Sequence, residues 1–258
     1  MNIMDKILVK KKERLSAQKQ RIPVEELKEK LSPIPRRAFQ KAIHVQGQVS
    51  LIAELKKASP SKGIIREDFS PEGIARIYQQ AGARAISVLT EEDFFQGDLY
   101  HLPLIRQEVH LPLLRKDFIF EEYQIYESEV FGADALLLIT RILQEEELER
   151  LITLTYELGM EALLEVYDQK DLSRALSCNP RIIGINNRNL EDFGVDIENT
   201  LRLRDRIPPH ITVVSESGIN SVEDVLLLKK ADIHAVLVGQ ALLESSDIET
   251  KIRAMGLL

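Results

Sequence analysis

The sequence predicts an α/β protein: a closed parallel (β/α)8 barrel, or TIM barrel, with an N-terminal helical extension. The chain has 258 residues, a length common among single barrels of this type. After residue 47, short runs rich in Val, Ile, Leu and Ala alternate with longer amphipathic segments. Nearly continuous apolar runs are typical of parallel strands covered by helices. We therefore expect residues 1–47 to form a basic helical extension packed on a barrel of residues 48–258, within one structural domain.

Eight apolar runs are the candidate strands, and turn residues follow them. They are VSLIAEL (49–55), RAISVLT (84–90), LPLLRKD (111–117), DALLLIT (134–140), EALLEV (161–166), RIIGINN (181–187), ITVVSES (211–217) and HAVLVG (234–239). Helix boundaries are indicated by Pro71 at a first helical position, Gly159 at a helix end and Ser221 as an N-cap. An open doubly wound sheet is the alternative fold. It would require a glycine-rich fingerprint after the first strand, and KKASPSKG (56–63) is not one.

The composition favours a globular protein with a substantial core, since 44% of residues are hydrophobic and 29% are charged. There is no run of 18 apolar residues, so we expect no membrane span. The N-terminus lacks the apolar core of a secretory signal. Cys178 is the single cysteine, which excludes an internal disulfide and favours a cytoplasmic location. Its place in a predicted loop favours a bystander thiol over a reactive one.

Charge is distributed unevenly along the chain. Residues 1–41 hold 12 Lys and Arg against 5 Asp and Glu, whereas the remainder holds 22 against 36. A basic arm on an acidic body is one pattern of nucleic-acid-binding proteins. This arm instead has helically spaced apolar residues and lacks interleaved aromatics, so we expect a helical lid packed on the body and no nucleic-acid binding. The apolar positions are Ile3, Ile7, Leu8, Val24, Leu27 and Leu31.

Polar residues stand at the ends of the candidate strands. In a (β/α)8 barrel the carboxyl ends of the strands and the loops after them carry the active site. Each of these residues alone could be a solvated or ion-paired rim residue, and Lys116 with Asp117 could be a surface pair. Their shared placement at one face favours a functional site. The residues are Glu54, Lys56, Lys116, Glu165, Asn186, Arg188, Glu216, Ser217 and Gly239.

Six motifs, one per strand end, identify a resemblance to a known family. Together they resemble the indole-3-glycerol-phosphate synthase family, from about residue 3 to the C-terminus. A single piece such as ESGI recurs in other phosphate-binding barrels, whereas the ordered set is specific. The motifs are ELKKASPSKG (54–63), SVLTEEDFFQG (87–97), LLRKDFIFEEYQI (113–125), ALLEVY (162–167), IGINNRNL (183–190) and VVSESGI (213–219).

The resemblance implies a reaction on 1-(2-carboxyphenylamino)-1-deoxyribulose 5-phosphate. A ring carbon attacks the sugar carbonyl, carbon dioxide leaves, and loss of water gives indole-3-glycerol phosphate. It also implies that no metal or organic cofactor is needed. In agreement, the sequence has no CxxC, and its five histidines show neither HxH nor HExxH spacing. The expected partner is a phosphorylated small molecule, and association with other tryptophan-pathway enzymes is left open.

The resemblance assigns catalytic roles to four residues. Lys116 matches the lysine of the family's KDF motif and is the expected general acid, with a pKa lowered by burial and neighbouring cations. Glu165 is the expected general base. Lys56 is a second cation that assists hydroxide departure or holds the substrate carboxylate. Glu54 orients the lysines and balances their charge.

The remaining expected site residues bind the substrate. Arg188 has the planar fork that suits the anthranilate carboxylate, and Asn186 and Glu216 are expected to bind sugar hydroxyls. Phe118 is expected to contribute an apolar slot for the ring, and Ser217 is a further binding residue. Ser59, Gly218 and Gly239 are expected to hold the phosphate through hydroxyl and backbone N–H groups.

Three alternative functions remain. A phosphoribosyl-anthranilate isomerase would require a cysteine–aspartate acid–base pair, and no cysteine stands at a strand end. A Schiff-base aldolase would form an imine on Lys116 or Lys56. A catalytically silent barrel would use its basic arm to bind RNA or a partner enzyme.

Overall fold

The barrel is closed by eight parallel strands in sequence order. The computed structural model describes residues 2–31, 35–189 and 193–257. Each strand pairs with the strands before and after it in the chain, and the first pairs with the eighth, which confirms the predicted fold class. The barrel strands are β1 (Ser50–Leu55), β2 (Ala85–Leu89), β3 (Leu113–Lys116), β4 (Ala135–Ile139), β5 (Glu161–Val166), β6 (Ile182–Asn186), β7 (Thr212–Glu216) and β8 (Ala235–Val238).

Helices precede, connect and follow the strands. Pro71 occupies the first turn of its helix, the Ser221 side chain caps another, and Gly159 follows a third in the left-handed region at φ +73°. A short antiparallel ladder (Ala58–Ser59 with Gly63–Ile64) lies in the loop after β1, and a 3₁₀ turn (Thr140–Ile142) follows β4. The helices are α1 (Ile3–Arg21), α2 (Val24–Glu29), α3 (Phe39–Ile43), α4 (Pro71–Gln80), α5 (His101–Glu108), α6 (Glu122–Val130), α7 (Glu145–Glu157), α8 (Gln169–Ser177), α9 (Glu198–Arg204), α10 (Val222–Lys230), α11 (Gln240–Leu243) and α12 (Ile248–Ala254).

The strands bury both faces, and successive side chains alternate between two cores. On β1, Leu51 and Ala53 pack outward against the helices, whereas Ile52 packs inside the barrel. Leu114 and Val214 lie in the same inner core as Ile52. Because the side-chain period of a strand is two residues, the positions two further along each strand also face the barrel axis.

The N-terminal helices pack on both ends of the barrel. Phe39 and Ile43 of α3 are fully buried in the inner core. Gln40 donates a hydrogen bond to Thr212, the first residue of β7, which fixes α3 at the amino ends of the strands. Ile7 of α1 shares the inner core with Phe118, which follows β3 at its carboxyl end. Side chains of both α1 and α3 are therefore buried in the inner core.

No helix in the described part of the chain has the length and apolarity needed to cross a membrane.

Candidate active site

A cavity of about 300 Å³ opens at the carboxyl ends of the strands. Every one of the site residues expected from the sequence lines it, so residues far apart in the chain meet in one place. They are Glu54, Lys56, Ser59, Lys116, Phe118, Glu165, Asn186, Arg188, Glu216, Ser217, Gly218 and Gly239. The last residue of the motif IGINNRNL, Leu190, lies outside the described residues.

Strand alternation brings the charges of β1 into the cavity. Glu54 lies two residues after the inward-facing Ile52 and is 5% exposed. Its Oε2 lies 2.6 Å from the Lys56 ammonium. Burial acts to raise the pKa of Glu54, but the positive charges of Lys56, Lys116 and Arg188 outweigh it and hold the pKa below its ordinary value. Glu54 is therefore a carboxylate fixed beside cations.

Lys116, at the end of β3, lies between two carboxylates. Its Nζ is 3.4 Å from Oε2 of Glu165, and it also donates a hydrogen bond to Glu216. Burial acts to lower the pKa of Lys116, but Glu216, Glu165 and Glu54 together raise it above the usual value for a lysine. The expectation of a lowered pKa was wrong, because carboxylates rather than cations surround this ammonium. Lys116 is therefore protonated at neutral pH.

Glu216 has a strongly perturbed environment. Burial raises its pKa to about 7, the repulsion from Glu165 and Glu54 adds to this, and the Lys116 ammonium opposes it. Its Oε1 is buried and has no hydrogen-bond partner within the described part of the chain. A carboxyl group in this environment exchanges its proton near neutral pH.

Two glycines give the carboxylates their space. A Cβ at Gly184 would lie 2.2 Å from Oε1 of Glu216, and a Cβ at Gly239 would lie 2.5 Å from Oε2 of Glu54. Any side chain at either position would displace the carboxylate beside it. Gly184 was not among the site residues expected from the sequence, although an isolated glycine within a strand signals a close approach of another group.

The loop after β7 has an unusual backbone. Ser217 and Gly218 both lie in the left-handed region, at φ +67° and +81°. Asn187 is buried and donates hydrogen bonds to the Ser217 carbonyl and the Ser215 hydroxyl, both at 3.0 Å. This side chain, also missed in the sequence, holds the turn from the neighbouring strand end.

Arg188 and Asn186 are tied together at the end of β6. The backbone N–H of Arg188 donates to Oδ1 of Asn186 at 3.0 Å, and the Arg188 guanidinium donates to the Phe193 carbonyl at 3.2 Å. A β-bridge between Arg188 and Val195 brings the chain back toward the cavity. The guanidinium is thus anchored at the rim by backbone contacts.

One side of the cavity is apolar, and the N-terminal helix supplies part of it. Ile3, Met4 and Ile7 of α1 line the cavity together with Phe95 and Phe118, whose ring centroids are 6.3 Å apart. A helical lid and the Phe118 contribution were expected from the sequence, but these three α1 residues were not identified as part of the cavity wall. Their spacing showed which helix face is apolar but not what that face contacts.

Asp117 is not part of a surface pair with Lys116. Its side chain is 1% exposed and pairs with Arg115 and Lys11. Strand alternation explains the difference, because Lys116 faces the barrel axis and Asp117 faces away from it.

One cluster of acidic side chains in the described residues is close enough to share a cation: Glu91, Glu92 and Asp93. Glu91 accepts backbone N–H groups of this loop, and the other two pair with Lys11 and Arg14. All three carboxylates therefore already have partners within the described part of the chain.

Fold and site together define a (β/α)8-barrel enzyme with a cavity for a small anionic substrate. The model of the family "Indole-3-glycerol phosphate synthase" matches residues 4–255. An indole-3-glycerol phosphate synthase of Dehalococcoides mccartyi is 49% identical over 98% of this chain and 99% of its own. One of Acetivibrio thermocellus is 48% identical, with 97% and 98% coverage. The chain belongs to the indole-3-glycerol phosphate synthase family, the carboxy-lyases that form the indole ring in tryptophan biosynthesis.

A solved structure shows the same fold without close sequence similarity. The 3-hexulose-6-phosphate synthase of Salmonella typhimurium superposes with a TM-score of 0.66 at 12% identity, over 80% of this chain and 96% of its own. This likeness concerns the barrel alone.

Proposed function

We propose that this cavity converts 1-(2-carboxyphenylamino)-1-deoxyribulose 5-phosphate into indole-3-glycerol phosphate, carbon dioxide and water, with Lys116 as general acid and Glu165 as general base. One observation carries the assignment. The Lys116 ammonium lies 3.4 Å from the Glu165 carboxylate in a cavity that has an apolar wall on one side and glycine-containing loops on another. These features match the charged, aromatic and phosphate parts of one substrate.

In the first step the ring carbon that bears the carboxylate attacks the C2′ carbonyl of the sugar. The electron pair of the carbonyl bond moves to oxygen, and Lys116 donates a proton to it. The raised pKa keeps this lysine protonated until charge develops on the oxygen. The ring is left as a cationic intermediate, which the Glu165 and Glu216 carboxylates stabilise.

Loss of carbon dioxide then restores the aromatic ring. The electron pair of the breaking C–C bond returns to the ring system, so no base is needed. Phe118 and the apolar wall supplied by α1 hold the ring so that its carboxylate lies out of the ring plane. Carbon dioxide is lost most easily when the C–C bond that breaks is aligned with the π system of the ring.

In the last step the C2′ hydroxyl leaves as water and the C1′ proton is removed. Glu165 takes the carbon-bound proton, and a lysine ammonium protonates the departing hydroxyl. Lys56, held 2.6 Å from Glu54, is the second donor available for this task. Glu165, 3.4 Å from Lys116, returns the proton it has taken to the Lys116 amine that gave one up in the first step, and Lys56 takes a replacement proton from solvent.

Substrate binding uses the rest of the cavity. Arg188 pairs with the anthranilate carboxylate through its planar fork. Asn186, Glu216 and Ser217 contact sugar hydroxyls.

The phosphate is bound by Ser59, Gly218 and Gly239. Gly218 follows a left-handed serine, an arrangement that turns successive backbone N–H groups toward an anion. Gly239 precedes helix α11, whose first N–H groups have no helical acceptor.

The proposal extends to the organisation of the chain. We treat residues 1–47 as an extension of the barrel at residues 48–258 rather than a separate domain, because Ile7 and Phe39 are buried in the inner core. In the same proposal the enzyme acts in the cytoplasm without metal or cofactor and binds no nucleic acid. In this proposal one chain supplies all the site residues, and association with other tryptophan-pathway enzymes is compatible with that.

The test follows the appearance of indole fluorescence when the purified chain is mixed with the carboxyphenylamino substrate. We expect turnover in the presence of a metal chelator. A folded sample that shows none would contradict the proposal.

A further inference from the structure

Helix α1 carries one charged side chain on its buried face. Lys11 lies one turn from both Ile7 and Leu15, and the three residues are 5%, 2% and 3% exposed. A lysine buried among apolar residues is costly unless carboxylates compensate its charge. The Lys11 ammonium lies 2.9 Å from the Asp117 carboxylate and 3.0 Å from Oε2 of Glu92.

Asp117, the residue after Lys116, connects Lys11 to the end of β3. Its carboxylate accepts hydrogen bonds from the Arg115 guanidinium at 2.9 Å, the Thr90 hydroxyl at 2.6 Å and the backbone N–H of Phe118 at 2.8 Å. Asp117 directly follows Lys116 in the chain and is bonded to Arg115 before it and Phe118 after it, so this carboxylate fixes the strand end that presents the ammonium.

Glu92 connects Lys11 to a second part of the cavity. It belongs to the loop after β2, which also pairs with α1 through Arg14 and Asp93. The same loop carries Phe95, which lines the cavity, and the Phe95 carbonyl accepts the backbone N–H of Ala58 at 3.2 Å. The Lys11–Glu92 ion pair is therefore connected, through Phe95 and Ala58, to the loop that contains Ser59.

We propose that Lys11 is a positioning residue for the reaction. Its ammonium fixes α1 to the end of β3, so that the wall formed by Ile3, Met4 and Ile7 presses the substrate ring toward Lys116. The inference rests on the proposed function. Lys11 itself does not line the cavity, so its effect passes through Asp117.

The experiment compares Lys11→Met with the wild-type chain and with Lys19→Met. Lys19 lies on the same helix and pairs with Glu121 at 2.6 Å, but the two side chains are 46% and 41% exposed. Two quantities are measured: kcat/KM for the carboxyphenylamino substrate, and the inhibition constant of ribulose 5-phosphate, which has the phosphate and sugar but no ring. If Lys11 only stabilised the fold, its substitution would impair kcat/KM and the binding of ribulose 5-phosphate to a similar extent.

We expect Lys11→Met to lower kcat/KM by roughly ten- to a hundredfold, since a 1 Å misplacement can cost about 10²-fold. The inhibition constant should stay within about twofold, and Lys19→Met should resemble wild type. Should Lys11→Met fail to fold, Lys11→Met combined with Asp117→Asn removes both charges and leaves Arg115 paired with Glu127. The double variant should show the same loss.

A wild-type kcat/KM in folded Lys11→Met, or in the double variant, would overturn the inference. So would a weakening of ribulose 5-phosphate binding by the same factor as the fall in kcat/KM. A wild-type chain without turnover would overturn both the proposed function and the inference. The two failures are thus distinguishable.

Discussion

Replacing Lys116 by Met tests the central catalytic assignment. The change keeps an unbranched side chain in the cavity and removes the ammonium that contacts Glu165 and Glu216. General acid catalysis contributes roughly 10²- to 10⁴-fold, which corresponds to about 2.7–5.5 kcal/mol of transition-state stabilisation. We expect kcat to fall within this range in the fluorescence assay.

The structure also predicts how much the Lys116→Met substitution should lower the free energy of unfolding. Breaking a buried ion pair typically costs about 3–5 kcal/mol, because an uncompensated charge stays behind. Here Glu216 has a pKa of about 7 even with the Lys116 ammonium beside it, because burial outweighs the effect of that charge. Without the ammonium, Glu216 should bind a proton at neutral pH and lose its charge. We therefore expect the Lys116→Met substitution to lower the free energy of unfolding, measured in urea, by about 3 kcal/mol or less.

Binding of ribulose 5-phosphate provides the control. The proposed phosphate contacts come from Ser59, Gly218 and Gly239, which belong to other strand ends, so affinity should change by less than about threefold. A folded Lys116→Met variant with wild-type kcat would refute the assignment of the general acid. Equal losses in kcat and in inhibitor affinity would refute the separation of catalytic and phosphate groups.

Three further changes test other parts of the site and fold. Arg188→Ala should raise KM by about ten- to a hundredfold with kcat largely kept, since a hydrogen bond to a charged group contributes about 1.5–3 kcal/mol; an unchanged KM would argue against carboxylate recognition. Gly184→Ala should lower kcat and destabilise the fold by about 1–3 kcal/mol, because its Cβ would lie 2.2 Å from Glu216; wild-type values in kinetics and urea unfolding would exclude this crowding. Burial and the nearby His44 lower the pKa of His234, so below about pH 6.5 the unfolded chain binds a proton that the folded chain does not. Stability should therefore decrease as the pH falls from 7.5 to 5.5, and the decrease should be smaller in His234→Gln; equal decreases in urea titrations would contradict it.

Local pattern was sufficient to predict the barrel and the end of it at which the cavity opens. Each apolar run is short, faces helices on one side and the inner core on the other, and is therefore apolar throughout. The rule that barrel sites lie at the carboxyl ends of strands then selected residues such as Glu54, Lys116 and Glu165 without any knowledge of their contacts. Glu54 and Lys56 are two residues apart at the end of β1, and their 2.6 Å contact agrees with the side-chain period of a strand.

The electrostatics of the cavity could not be predicted in this way. The pKa of Lys116 depends on which charges surround it, and those charges come from β1, β5 and β7. The sequence contains the cations and the carboxylates but not the distances between them. The sign of the pKa shift was therefore wrong even though the residue was correctly placed.

What the sequence alone determined about this protein is its periodicity: eight buried strands, their order and the residue type at each strand end. Only the tertiary structure decided that Lys11 is buried against Asp117, that Gly184 makes room for Glu216 and that α1 forms a wall of the cavity. The physical reason is that periodicity records how each residue relates to its own element. Charge compensation and steric clearance depend on distances between elements that are remote in the chain.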